Sequence, residues 1–227
     1  MRVLAIDTAL GSCAAAVLDT AGGAIVAHES LAMQRGHAEA LMPLIARVME
    51  RAKLKFSDLD RIAVTAGPGS FTGLRVGTAA ARGLGLAAEK PVVGVTTLAA
   101  FAAPLIAADD STPVVAAVDA RHDHVYLQVF GPGGRTLVAP RLSALRDALR
   151  AAAGGSPRLV GNAAEILARA WPSGEQPPGQ VEQRAAPDIG WVARLGAAAD
   201  ETAAAPKPLY LRAPDAQPQD ASRLARR

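Results

Sequence analysis

Three short stretches of this sequence carry side chains that could do chemistry. Asp7 and Thr8 close a run of buried-strand character, Arg2-Val-Leu-Ala-Ile-Asp7, and open a turn. A carboxylate beside a hydroxyl at a hairpin mouth can position a metal-bound phosphate. The same pair can satisfy turn amides, and the residues alone leave both readings open. Asp119, at the mouth of a second hairpin, poses the same question, with the turn reading favoured. His122-Asp123-His124 has the composition of a metal triplet, and alternate residues of a strand share a face. It falls in a turn, however, with no further Cys or His nearby, so a solvated turn accounts for it better than zinc, which takes four ligands. Cys13, the single cysteine, sits among small apolar residues and reads as a buried thiol. His37, at the start of a helix, has no catalytic neighbour in sequence; it caps, packs or touches a partner.

The third stretch is the one the chain is organised around, Thr65 to Ala88, TAGPGSFTGLRVGTAAARGLGLAA. Gly67, Pro68 and Gly69 end the preceding strand, because glycine supplies unusual φ and proline removes a donor. Thr72 is expected to cap the helix that follows. Glycine turns that open helices bind anions, but a Walker loop needs Lys and then Ser or Thr after its last glycine. Here Gly73 is followed by Leu74 and Arg75. Nor does the first turn carry a clean dinucleotide fingerprint. Along the helix, Gly73, Gly77, Ala81 and Gly85 recur every four residues and share a face almost bare of side chains. Glycine costs about 1 kcal/mol against alanine in a helix interior. The seam is therefore read as a contact surface to which another backbone comes close.

The elements that must position these residues follow from periodicity. Arg2–Asp7, Cys13–Leu18 and Ala24–Ser30 read as three strands joined by tight turns, an antiparallel meander. Residues 36–52 change to helical period, with Leu41, Leu44, Ile45 and Val48 on one face. Met42, Ala46 and Met49 widen the apolar arc to about twice the usual stripe of roughly 100°, so this helix is expected to bury a second side. Strand Arg61–Ala66, the glycine helix, strand Pro91–Val95 and helix Thr97–Ala108 complete an order βββαβαβα. A hairpin, Val114–Asp119 and Val125–Phe130, then opens a second strand-rich start. Helix Leu142–Ala153, strand Arg158–Val160, helix Ala163–Trp171, a Pro- and Gly-rich loop over 173–187 and a helix capped by Asp188 follow. Leu209–Arg212 is a short strand candidate. The recurrence points to two related lobes, 1–110 and 111–212, with a disordered tail over 213–227.

Composition limits the function classes. The 227 residues are 50% hydrophobic but only 4% aromatic, so the core is built from Ala, Val and Leu. A net charge of +3, scattered along the chain apart from the Arg-rich end, gives no stripe that would grip a nucleic-acid backbone. No apolar run is long or clean enough for a secretory signal or a membrane span, and the chain is expected to be cytoplasmic.

In order, IDTALGSCAAAVLD, HAEALMPLI, TAGPGSFTGLRVGTAAARGLG, VVGVTTLAAFA, VDARHDHVY and PLYLR resemble the TsaB family over residues 1 to about 212. The resemblance implies an α/β, two-lobed actin-like (ASKHA, ribonuclease H-like) fold. It also implies the role of a noncatalytic dimerisation and activating subunit for N6-threonylcarbamoylation of adenosine 37 in tRNA. Its partner would be a TsaD-like transferase, with a TsaE-like ATPase joining through the complex, tRNA contacted indirectly, and a homodimer when alone. No membrane contact, cofactor or metal is expected. TsaD-like proteins carry a His-x-x-x-His metal pair whose places fall here at Thr97 and Phe101. Their doubled-glycine nucleotide contact falls at VGNAAE, where Gly161 stands alone. These two losses weigh against the rival reading, an ATP-dependent kinase or metallopeptidase of the same fold. The expected partner interface combines His37, Leu41, Met42, Ile45 and Met49 with Gly73, Val76, Gly77, Ala80 and Ala81; Asp7 and Thr8 are kept as a weak nucleotide contact.

Overall fold

The computed structural model describes residues 1–204 and 206–212. The expected tail over 213–227 lies outside the described residues. The first sheet is made of β1 (Arg2–Asp7), β2 (Ser12–Asp19), β3 (Ala24–Ala32), β4 (Arg61–Gly67) and β5 (Val92–Thr96), in the order β3-β2-β1-β4-β5. β1, β2 and β3 form the antiparallel meander, whereas β4 and β5 run parallel to β1, with Val3 opposite Arg61 and Ile6 opposite Val64. The parallel crossovers are α1 (His37–Ala52) and α2 (Phe71–Ala88), and α3 (Thr97–Ala108) leaves β5 for the second half.

The second sheet repeats this plan. β6 (Val114–Asp119), β7 (His124–Phe130), β8 (Thr136–Ala144), β9 (Arg158–Gly161) and β10 (Gln180–Gln183) lie in the order β8-β7-β6-β9-β10. Its crossovers are α4 (Leu145–Ala152) and α5 (Ala164–Arg169), and α6 (Ile189–Ala198) ends the pattern. β8 and β10 escaped the sequence reading. β8 contains Pro140 and buries only Ser143 of its nine residues, and β10 sits in the stretch read as loop; both are edge strands, where alternation is weak. Leu209–Arg212, expected as a short strand, is not part of either sheet.

Alternate residues of each strand feed different cores. Leu4 and Ile6 pack under α1 and α2, while Val3 and Ala5 pack under α6. A strand buried on both faces reads as a continuous apolar run, as β1 does. The second sheet is covered likewise, by α4 and α5 on one face and by α3 on the other. The molecule is thus five layers, with α3 and α6 together in the middle. α6 lies within the stretch 111–212 expected to form the second lobe, yet it packs on β1, β2 and β4 of the first sheet. Ile189, Val192 and Ala193 fit the small-residue surface of Val3, Ala5, Ala14 and Ala16, which corrects that assignment.

Each middle helix is held by a buried arginine at the start of a strand. Arg61 donates to the carbonyls of Gly196, Ala197 and Ala199 at 2.8–3.1 Å and to Glu201 at 2.6 Å. Arg158 donates to the carbonyls of Leu105 (2.8 Å), Thr112 (3.2 Å) and Asp109. A guanidinium satisfies the orphan carbonyls of a helix C-terminus and complements its partial negative charge.

Candidate functional site

The Asp7–Thr8 corner is built by β1 ending against the β4–α2 loop. Asp7 is fully buried. Its carboxylate accepts from the Thr65 hydroxyl at 2.6 Å, the Ala9 amide at 3.0 Å and the Ser12 hydroxyl at 3.4 Å. Burial raises its pKa above the ordinary 3.8; those hydrogen bonds and the nearby His37 pull the other way. Thr8 donates its hydroxyl to the Gly73 carbonyl at 2.7 Å, and the Ser70 amide donates to the Ala9 carbonyl at 2.7 Å. Both candidate side chains are thus engaged within the chain. The helix is capped by Ser70, which accepts from the Gly73 amide, and not by the expected Thr72. Cys13 is buried, and burial first, then the charges of Asp7 and Glu29, push its thiol up to about 11.

The glycine seam does admit another backbone, and it is the chain's own. A Cβ on Gly73 would collide with the Thr8 carbonyl oxygen, one on Gly77 would lie 2.5 Å from Thr8 Oγ1, and one on Gly85 would strike Val92. Of the ten residues expected at a partner interface, Leu41, Ile45, Met49, Gly73, Gly77 and Ala81 are buried in the chain itself. Their place in the interface is corrected. Four-residue spacing identifies a face but not what it faces. His37 is half-buried and donates from Nε2 to the Leu10 carbonyl at 3.2 Å, tying α1 to the β1–β2 turn. Met42 (47% exposed) reaches the surface, and Val76 and Ala80 reach it partly.

What α1 and α2 present outward is a different stripe. On α2 it is Phe71, Arg75, Val76, Ala79, Ala80, Gly83 and Leu86, and on α1 it is Ala38, Met42 and Ala46. Leu86 is 84% exposed and Phe71 56%. Among the described residues Gly83 has no atom within 4 Å of where a Cβ would sit, so none of them explains a glycine there. Beside it an open groove of about 650 Å³ is lined by Arg82, Leu86, Lys90 and Pro206 among others. Sequence reading named Met42, Val76 and Ala80 of this stripe but missed Phe71, Ala79, Gly83 and Leu86, although Gly83 stands off the four-residue seam and was the signal for it. At the N-terminal end of α2, the Arg75 guanidinium lies 3.6 Å from the Phe71 ring centroid and donates to the Tyr210 hydroxyl at 3.1 Å.

Corresponding corners of the second lobe are also filled. Gly161 (φ 118°) lies so close to Ala117 that a Cβ would collide with its carbonyl. Asn162, where a second glycine would stand, accepts from the Asp119 amide at 2.8 Å. Asp119 in turn accepts from the Arg121 amide at 2.7 Å. Arg121, His122 and Asp123 all have positive φ, and His124 Nδ1 donates to the His122 carbonyl at 2.6 Å, which is the geometry of a tight turn. Among the described residues no group of three or more His, Cys, Asp or Glu side chains could hold a metal ion. Thr97 and Phe101 are fully buried, Phe101 within the core between α3 and the second sheet. No helix among the described residues is long and apolar enough to cross a membrane.

Residues 25–175 match the family described as TsaD: tRNA N6-adenosine threonylcarbamoyltransferase. The chain is 39% identical over 126 residues to the tRNA threonylcarbamoyladenosine biosynthesis protein TsaB of Escherichia coli, covering 56% of this chain and 53% of that protein. A match of 35% to the Haemophilus influenzae TsaB covers 56% and 52%. The chain therefore spans about half the length of these curated relatives. It is 36% identical to an uncharacterized protein of Mycobacterium tuberculosis over 95% of this chain and 94% of that one. A crystal structure from Pseudomonas aeruginosa, of an uncharacterized protein with similarity to peptidase YEAZ, superposes with a TM-score of 0.77 at 26% identity, covering 93% and 99%. The two lobes are those of the actin-like, ASKHA fold. By its matching profile and its relatives the chain belongs to the TsaD family and, within it, to the TsaB proteins.

Proposed function

We propose that this chain is a noncatalytic subunit that binds and activates a TsaD-like transferase in the synthesis of N6-threonylcarbamoyladenosine at position 37 of tRNA. The N-terminal lobe, within 1–110, carries the interface, and the outward stripe of α1 and α2 forms it. A TsaE-like ATPase joins through the complex, tRNA is contacted indirectly, and the chain self-associates through the same stripe when alone. The observation that carries this reading is Gly83. A helix-interior glycine costs about 1 kcal/mol against alanine, and among the described residues no contact offsets it, which a closely approaching partner backbone explains. Leu86, which lines the same groove, and Met42, exposed on α1, supply apolar contact. Against an enzymatic role stand the occupied Asp7–Thr8 corner and the core packing of Phe101.

The test is titration calorimetry of the purified chain with the TsaD-like transferase of the same cell. Gly83→Glu and Met42→Glu should keep their circular dichroism and each weaken binding at least tenfold. They should also lower the self-association measured by light scattering. Unchanged affinity in both folded variants would move the interface off this stripe.

A further inference from the structure

The described C-terminal segment lies along α2 and then crosses to the other lobe. The Gly94 amide of β5 donates to the Ala204 carbonyl at 2.8 Å, and Pro206 lines the groove beside Gly83 and Leu86. The Leu209 amide donates to the Ala66 carbonyl, at the end of β4, at 2.7 Å. Tyr210 stacks on Phe71 with ring centroids 5.6 Å apart and accepts from Arg75. Arg212 then reaches the second lobe and donates to the Ala120 carbonyl, in the turn after β6, at 3.2 Å. Both anchor points, Ala66 and Ala120, stand at the C-terminal ends of central parallel strands, one in each sheet.

From this path we infer that residues 209–212 are a strap, fastening the two lobes across the mouth between their sheets and tying that mouth to the N-terminal turn of α2. Two features fit a built fastening. Gly67 (φ 110°) leaves room for the strap, since a Cβ there would lie 3.2 Å from the Leu209 carbonyl oxygen. Pro206 and Pro208 stiffen the approach, which lowers the conformational freedom lost on docking. The strap makes no ladder with either sheet, and each hydrogen bond gives little net of water. Its closed form is therefore a population that can be shifted. Because Tyr210 holds Phe71 and Arg75, opening the strap also frees the end of the helix proposed to meet the transferase; that second consequence rests on the proposed function.

Hydrogen exchange on the full-length chain alone tests the fastening. Leu209→Pro removes the amide donor and Arg212→Ala removes the guanidinium. In the double variant, amide exchange over 119–124 and 66–72 should rise at least tenfold, with β1 and residues 114–118 of β6 unchanged. Exchange unchanged in both segments overturns the strap. Should the double variant fail to fold, Tyr210→Phe and Arg212→Ala, taken singly, carry the test: the first should speed exchange only over 70–75, the second only over 119–124. Either single variant without its local rise overturns the inference as well. In parallel, the double variant should bind the transferase three- to tenfold more weakly. If the wild-type chain does not bind the transferase, the proposed function fails while the exchange result still decides the strap.

Discussion

The two lobes share one topology, and their outer helices show what each surface is for. α4 and α5 are 8 and 6 residues long, and their solvent faces carry Arg146, Asp147, Arg150, Glu165 and Arg169 in local ion pairs. Exposed pairs of that kind contribute little to stability and keep a face wet. α1 and α2 occupy the corresponding layer on the first sheet, are 16 and 18 residues long, and expose Met42, Phe71, Gly83 and Leu86. The same position in the plan is finished once as a solvent face and once as an apolar one. The middle layer shows the opposite pattern. There the lobes are matched, with Arg61 and Arg158 each closing the C-terminus of the helix packed between the sheets.

The comparison breaks most sharply at two glycines of α2. Gly73→Leu should destabilise the chain by about 3 kcal/mol or more, because a side chain there meets backbone that cannot yield. Gly83→Leu, on the opposite face, should raise stability by about 0.5–1 kcal/mol through helix propensity. Urea unfolding of both variants checks the pair; equal losses would mean that the outward stripe is also part of the fold.

Next in size, Arg61→Met and Arg158→Met should each cost about 3 kcal/mol, since each strands buried helix-end carbonyls that only a charged donor reaches. Thermal unfolding should show the two losses within about 1 kcal/mol of each other. A loss confined to one of them would show that the lobes do not depend equally on their middle helices.

The smallest effect concerns Asp7, the buried acid whose counterpart Asp119 is exposed. Its folded-state pKa lies above the unfolded 3.8, so the native state holds the proton more tightly. The stability this contributes is present at and below 3.8 and is lost as pH rises through the folded value. Asp7→Asn should therefore gain stability relative to wild type as pH rises from 4 toward neutrality. A flat difference for Asp7→Asn in unfolding curves across that range would show that its three hydrogen bonds offset its burial.

Sequence alone determined the order of the elements except for the edge strands β8 and β10, because periodicity, glycine turns and apolar runs are local. The βββαβαβα start, the hairpin near 114, the Asp188 cap and the buried Cys13 follow from residues near in the chain. The ordered motifs also carried the family. Tertiary structure decided what each face meets. The bare seam of α2 is pressed on Thr8, some 65 residues away, and α6 crosses to the first sheet. Spacing fixes which residues point together; only packing of distant segments decides whether they point inward or out.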